Sequence, residues 1–174
     1  ETTGQEDYLV SVKNNILKVA KVIDKESEAN TAWEKLETKI KSAAEKSAAS
    51  VKKAVVVLHN DGKMGVANNS NYAKVVHDVV GIKRADEKTY EGRNPADTQY
   101  FVDTNPDIIF VVDRSAAIGA TPMDQNYFSA PEFANVQAVK DGKGIMLSPK
   151  LWYLSGNGLQ SLDLQVDEVS KALD

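Results

Sequence analysis

Pro106 to Gly119 read Pro-Asp-Ile-Ile-Phe-Val-Val-Asp-Arg-Ser-Ala-Ala-Ile-Gly, and this stretch decides the fold class. Nearly every residue from Asp107 to Val112 is apolar, β-branched or aromatic. A short continuous run of this kind, bounded by a proline and a charged pair, predicts a strand that is buried on both faces. Such a strand needs helices on both sides of its sheet, so the sequence predicts an α/β layer architecture.

Arg114 follows the predicted strand directly, at the place where parallel α/β sheets bind their ligands. Its guanidinium is a permanent cation with a planar set of donors, which suits an anionic oxygen ligand. An ion pair with Asp113 or another acid at the sheet edge explains the position equally well. Both interpretations stay open at this point.

The composition sets bounds on the function. A chain of 174 residues is long enough for one ordinary domain with a sizeable core. The net charge of −4 argues against nonspecific nucleic-acid binding, which requires an excess of basic residues. Cysteine is absent, which excludes disulfides, thiolate metal sites and cysteine nucleophiles. No apolar run approaches the roughly 18 residues of a membrane span.

Two helices are predicted before any strand. Apolar residues recur at spacings of three and four from Tyr8 to Ile23, and again along a stretch from about Glu26 to Val51. The outer face of the second stretch is rich in Lys and Glu, as solvated helix faces are. Two opening helices are unusual for an α/β domain, so we expect them to pack partly on the sheet and partly on a missing N-terminal partner.

The remaining predicted elements alternate between strands and helices. They are a strand from Lys53 to Leu58 with a hairpin arm at Met64–Ala67, a helix from Asn71 to Val80 between Ser70 and Gly81, a helix from about Ala96 to Asp103, the opening strand, a loop to Gly119, helical residues from about Met123 to Asn135, a strand from Gly144 to Leu147 and a helix from about Gly158 to Leu173. This order predicts parallel strands joined by right-handed crossovers.

Three segments should meet at one edge of this sheet: His59-Asn60, Arg114, and the stretch from Leu151 to Gly158. A cleft there would hold Arg114, Trp152, Tyr153 and His59 as candidate binding residues. Within the third segment, Ser155 to Gly158 lacks the spacing of a phosphate-binding loop and is better explained as a tight turn and helix cap.

Other polar residues give weaker signals. His77 shares the polar side of its predicted helix with Lys74 and Asp78, so we expect it to be exposed. Two histidines alone do not make a metal cage. Ser115 has no visible histidine and aspartate partners, so no catalytic group is evident.

The motifs resemble one known family. Asn105 to Arg114, followed by Ala116-Ala117-Ile118-Gly119, is similar to the C-terminal lobe of class III substrate-binding proteins, especially the catecholate and petrobactin type iron-siderophore lipoproteins of bacterial ABC importers. Further similar motifs are Trp152 to Leu159, Val76 to Gly81, and Tyr8 to Asn15, which resembles the start of the helix joining the two lobes.

The resemblance implies an α/β, Rossmann-like three-layer lobe with a central, mostly parallel sheet. Residues 1–25 would form the interlobe helix region and residues 26–174 the C-terminal substrate-binding lobe. The N-terminal lobe, a signal sequence and a lipid-bearing cysteine would lie upstream of Glu1.

The same resemblance assigns candidate site residues. Arg114 matches the lobe arginine that faces the anionic ferric complex, and Tyr153 matches a tyrosine that reaches iron or siderophore in relatives. The chain departs from the family at Asn71, where relatives often carry a second arginine, and at Glu91-Gly92-Arg93, where they often carry His-Gly. Arg93 is a candidate source of the missing charge, and Glu132 lies near the acidic residue that meets the permease.

The expected function is therefore the non-enzymatic C-terminal half of the substrate-binding component of an ABC importer for ferric siderophore, of catecholate type. It would have no intrinsic cofactor, would carry ferric iron as a siderophore complex, and would act as a monomer with its own N-terminal lobe and an ABC permease. Its place would be outside the cytoplasm, as a membrane-anchored lipoprotein or in the periplasm. The alternatives are a haem-binding lobe with Tyr153 as axial ligand, or an unrelated α/β enzyme that uses Ser115 or Asp113.

Overall fold

The structure, a computed structural model, describes residues 7–92 and 94–174. Its elements in chain order are α1 (Tyr8–Val22), α2 (Glu26–Ala48), β1 (Lys53–Asn60), β2 (Lys63–Val66), α3 (Asn71–Lys74), a π-helical segment (Val75–Val79), β3 (Lys83–Arg84), α4 (Thr98–Thr104), β4 (Ile108–Asp113), α5 (Arg114–Ala117), two 3₁₀ turns (Tyr127–Ser129 and Pro131–Phe133), α6 (Gln137–Lys140), β5 (Gly144–Met146), α7 (Pro149–Tyr153) and α8 (Leu159–Lys171). In the described part of the chain, no helix is long and apolar enough to cross a membrane.

Strand β4 occupies the middle of the sheet. It pairs in parallel with β1 on one side and with β5 on the other, and all six of its residues are buried. The other edge of β1 pairs in parallel with β3 at Lys53 and Ala54, and antiparallel with β2 from Val57 to Asn60. The predicted buried strand and the mostly parallel sheet are therefore confirmed.

Helical layers cover both faces of this sheet. On one face, Val56 and Phe110 pack with residues of α1, α2, the π-helical segment and α8. On the other face, Ile109 and Val111 pack with residues of α4 and of the two 3₁₀ turns. Successive strand residues point to opposite faces, so an uninterrupted apolar strand supplies both cores. This is the predicted three-layer α/β arrangement.

The two opening helices pack as a pair, and α2 also packs on α8. Trp33 and Leu36 lie in the buried stripe of α2, as its spacing predicted. On the outside, Lys39 bridges to Asp163 and Asp167 of α8 at 2.7 and 2.9 Å. The lobe itself therefore covers part of the surface of these helices, as expected.

Two local predictions beyond β4 are wrong. The residues after Asp113 begin a one-turn helix instead of a loop, because the Asp113 carboxylate accepts a hydrogen bond from the Ala116 N–H as a helix cap. The helical residues predicted from about Met123 to Asn135, with an interruption at Pro131, form only two 3₁₀ turns, and the second of these begins at Pro131. Pro131 supplies no N–H for a continuous helix, while Phe128 and Phe133 anchor the segment by edge-to-face packing.

His77 is also placed differently from the prediction. It lies in the π-helical segment and is 9% exposed, with Nδ1 2.7 Å from the Ile82 carbonyl oxygen. A π turn has a wider register than an α-helix, so the regular helical spacing used for the prediction does not hold there. Burial of the imidazole, with a smaller contribution from nearby Arg84, lowers the pKa of His77 to about 4 against the opposing effects of the Ile82 carbonyl and Asp78.

Candidate functional site

Arg114 directly follows β4 and lies between two neutral oxygen acceptors. Its Nε donates to the Tyr153 hydroxyl at 2.6 Å, and its Nη1 donates to Oδ1 of Asn60 at 2.7 Å. Asn60 ends β1, Arg114 follows β4, and Tyr153 ends α7. The guanidinium carbon also lies 5.5 Å from the centre of the Tyr153 ring. The predicted meeting of the three segments is therefore confirmed.

Asp113 does not neutralise Arg114. Its carboxylate contacts His59 Nδ1 at 2.8 Å and accepts the backbone N–H groups of Met123 and Ala116. Burial alone would raise the pKa of Asp113, but these hydrogen bonds outweigh burial and hold the pKa below its usual value. No described residue forms an ion pair with Arg114. The cation is therefore oriented without being compensated.

Ser115, His59 and Asp113 are neighbours, yet their hydrogen bonds are structural. The Ser115 hydroxyl oxygen accepts the N–H of Asp61 at 2.8 Å, and Ser115 is buried. Nε2 of His59 accepts the N–H of Gly62 at 3.2 Å, which leaves the ring proton on Nδ1 for Asp113. These contacts hold the ends of β1 and β4 in register, and the geometry supports no nucleophile–base pair.

A cleft of about 310 Å³ opens beside Tyr153. Tyr8 of α1 forms part of its wall and donates its hydroxyl to Asn157 Oδ1 at 2.9 Å. Burial raises the pKa of Tyr8 to about 12, so this phenol stays protonated at neutral pH. The cleft is lined by Tyr8, Ser70, Asn71, Tyr72, Val75, Trp152, Tyr153, Gly156, Asn157 and Gln165.

The other predicted site residues are distributed unevenly around this cleft. Asn71 lines it from the exposed first turn of α3, which Ser70 caps. Trp152 also lines it, but its side chain is 2% exposed and its indole N–H donates to Glu168 at 2.7 Å. Glu132 is exposed on the second 3₁₀ turn, which packs on the opposite face of the sheet. Arg93 lies outside the described residues.

Sequence reasoning missed two contributors to the cleft. Tyr72 lies within the predicted helix from Asn71 to Val80, and Tyr8 begins the first predicted helix, so neither pattern singles them out as binding residues. Burial raises the pKa of Tyr72, with a smaller contribution from Tyr153. Their phenol groups give no periodic signal, because only the packing of α1 and α3 against the α7–α8 connection brings them to one cleft. Lys74 adds a cation nearby, with Nζ 5.9 Å from the centre of the Tyr8 ring.

Within residues 7–92 and 94–174, no group of three or more His, Asp or Glu side chains is arranged to hold a metal ion. Tyr153, whose hydroxyl accepts a hydrogen bond from Arg114 Nε, stays a predicted contact to the iron or its chelator. The site is thus a cation and several phenols at the carboxyl edge of an α/β sheet, which defines a ligand-binding lobe.

Comparison with known proteins agrees with this class. The family model described as "Periplasmic binding protein" matches residues 2–151, and the chain belongs to this family. It is a family of binding proteins for ABC transport and not of enzymes.

Two curated relatives are named for the ligands they bind. The chain is 31% identical over 169 residues to the petrobactin-binding protein YclQ of Bacillus subtilis, covering 96% of this chain and 53% of that protein. It is 24% identical over 163 residues to the ferric-anguibactin-binding protein FatB of Vibrio anguillarum, covering 92% and 51%. The chain therefore spans about half the length of the curated relatives it matches.

Solved structures support the same relationship. The crystal structure of YclQ superposes with a TM-score of 0.89 over 96% of this chain and 59% of that one, at 31% identity. That of the iron-uptake substrate-binding protein PiuA of Streptococcus pneumoniae superposes with a TM-score of 0.87 at 32% identity, over 98% and 62%. The predicted resemblance to siderophore-binding proteins is confirmed.

Proposed function

We propose that this chain is the C-terminal, ligand-binding half of an ABC importer's substrate-binding component for ferric siderophore, of catecholate type. The observation that carries the proposal is Arg114, whose guanidinium is held by Tyr153 and Asn60 at 2.6 and 2.7 Å and meets no carboxylate among the described residues. A ferric catecholate carries net negative charge, so an oriented and uncompensated cation is a suitable anchor. The names of the two curated relatives support a ferric siderophore as the ligand.

Within this proposal, Arg114 contacts the anionic complex and Tyr153 orients Arg114 and reaches toward the iron or its chelator. Asn71 belongs to the ligand wall, and Arg93 is proposed as a second source of positive charge for the ligand. Trp152 supports the cleft wall from within the core, because its side chain is buried and belongs to the cleft lining. Residues 26–174 act as the C-terminal lobe, and residues 1–25 form the interlobe helix region that joins that lobe to an N-terminal lobe of the same protein.

The proposal also covers the cellular setting. The protein works outside the cytoplasm as a monomer, in the periplasm or as a membrane-anchored lipoprotein, and delivers its ligand to an ABC permease. Glu132 is proposed as a permease contact, because it is exposed and lies on a different face of the lobe from the cleft.

Substitution of Arg114 tests the anchor. The wild-type protein is titrated with the ferric complex of 2,3-dihydroxybenzoate, and binding is followed by quenching of Trp fluorescence. In Arg114→Ala we expect affinity to fall roughly 10- to 100-fold, because one charge-assisted hydrogen-bonding group is worth about 1.5–3 kcal/mol. Arg114→Lys should recover only part of the loss, since an ammonium lacks the planar fork.

Lys35→Ala is the matched control, because it removes the same charge from an exposed position of α2. Its affinity should equal that of the wild type. Absence of binding by the wild type, or an equal effect of the Arg114 and Lys35 substitutions, would contradict the proposal.

A further inference from the structure

Gln165 of α8 belongs to the lining of the cleft and has an unfilled hydrogen-bond acceptor. The residue is 3% exposed. Its Oε1 accepts no hydrogen bond from any residue that the structure describes, whereas its Nε2 faces the Leu151 carbonyl oxygen at 3.4 Å. Turning the amide around would place its oxygen against that carbonyl, so the unfilled atom is the acceptor. Buried polar groups normally have a hydrogen-bond partner, so we expect a ligand to supply a hydrogen-bond donor to this oxygen.

The walls around Gln165 restrict what the donor can be. Tyr8, Tyr72 and Trp152 offer flat aromatic surface, which favours a planar or apolar group. Among the described residues that line the cleft, none is an Asp or a Glu, and Lys74 lies beside the Tyr8 ring. An ammonium group would therefore enter without a counter-charge and at a high desolvation cost. A neutral N–H group avoids that cost.

We propose that this cleft is a subsite for an uncharged arm of the ligand, and that Gln165 Oε1 accepts a hydrogen bond from an amide-type N–H on that arm. The inference rests on the proposed function, because the arm extends from a ferric complex that Arg114 anchors next to Tyr153. The subsite makes the lobe selective for siderophores that carry a neutral amide beyond their iron-chelating groups. Gln165 is then a specificity-determining residue, distinct from the charge anchor.

The test compares two ferric complexes that differ in one group. Each ligand is a 2,3-dihydroxybenzamide with a four-carbon arm, which ends in an acetamide in one probe and in an acetate ester in the other. Both arms are neutral and nearly equal in shape, and only the acetamide has an N–H at its end. We expect the wild-type protein to bind the acetamide probe roughly two- to ten-fold more tightly, the range of one neutral hydrogen bond.

Gln165→Met, of similar volume, should remove this preference. Gln160→Met on the exposed side of the same helix should keep it. A further readout needs no variant: the side-chain amide resonance of Gln165 should shift when the diamagnetic gallium complex of the acetamide probe is added, and should shift much less with the ester probe.

The possible outcomes separate the two claims. Equal affinities in the wild type, or a preference that persists in Gln165→Met, would overturn the subsite while leaving the Arg114 anchor intact. If the bare ferric 2,3-dihydroxybenzoate complex and both arm-bearing probes fail to bind, the proposed function itself fails. If Gln165→Met does not fold, an unchanged Gln165 resonance in the wild type overturns the subsite.

Discussion

At the level of single side chains, Arg114 and Asp113 are adjacent in the sequence but have separate partners. Asp113 is satisfied by His59 and two backbone N–H groups, and Arg114 by the neutral oxygens of Asn60 and Tyr153. Asp113 ends β4 and caps α5, whereas Arg114 is the first residue of α5, so the two side chains start from different backbone settings. An ion pair between Arg114 and Asp113 is therefore excluded, no other described carboxylate pairs with Arg114, and the interpretation as a binding cation gains support.

Replacement of Tyr153 by Phe tests how Arg114 is oriented. The substitution removes the hydroxyl that accepts from Arg114 Nε but keeps the ring. We expect affinity for ferric 2,3-dihydroxybenzoate to fall roughly two- to ten-fold, the size of one hydrogen bond, and less than in Arg114→Ala. Fluorescence titration measures the change, and urea unfolding checks that the variant remains folded.

The same variant examines the haem alternative. A Soret band that develops with hemin in the wild type and disappears in Tyr153→Phe would favour haem as ligand over a siderophore. An affinity for the ferric catecholate that does not change in Tyr153→Phe would show that the hydroxyl does not position Arg114.

At the level of elements, the π-helical segment Val75–Val79 is where local pattern and tertiary packing differ most. Its apolar residues predict a helix correctly, but the wider turn brings His77 inward to the Ile82 carbonyl. The segment leads to Gly81, whose φ of +82° ends the helix as predicted, and then to β3. A neutral buried imidazole is thus part of the packing of this element.

Stability should consequently depend on pH through His77. Its pKa is lowered from 6.5 to about 4 in the folded protein, so the unfolded chain binds more protons between these values. Stability should be complete above about pH 6.5 and fall as pH decreases toward 4, by up to about 3 kcal/mol. His77→Asn, which can still donate to the Ile82 carbonyl, should show a shallower decrease in urea unfolding from pH 7 to 5. Parallel pH profiles for the two proteins would contradict this.

At the level of the whole molecule, α1 is attached to the lobe along one side only. Val12 is 4% exposed and packs in the core, whereas Val22 is 84% exposed, and Val19 and Ile23 are exposed with it. The chain spans 53% and 51% of the two curated relatives, so the longer relatives have further residues with which such a surface could pack. This asymmetry supports the proposal that α1 joins two lobes.

A matched pair of substitutions on α1 tests that proposal. In the 174-residue chain, Val12→Ala should lower the free energy of unfolding by about 1–3 kcal/mol, because it leaves a cavity. Val22→Ala should change it by less than about 0.5 kcal/mol, because its side chain is already in water. In a longer protein that includes an N-terminal lobe, Val22→Ala should become destabilising. Urea unfolding of both forms measures this, and a Val22 effect that stays near zero in the longer protein would count against the interlobe role.

The sequence by itself determined the layer architecture, the central buried strand, most helices and the edge of the sheet where the site lies. These follow from local periodicity, turn residues and strand order, which are encoded over a few neighbouring residues. The meeting of the segments that carry Asn60, Arg114 and Tyr153 was predicted as well. Only tertiary structure decided which hydrogen bonds join these three side chains, that His77 is buried, and that Tyr8 joins Asn157 across 149 residues. Hydrogen bonds and burial between residues far apart in the sequence depend on how the helices and strands pack against each other, and no local sequence pattern carries that information.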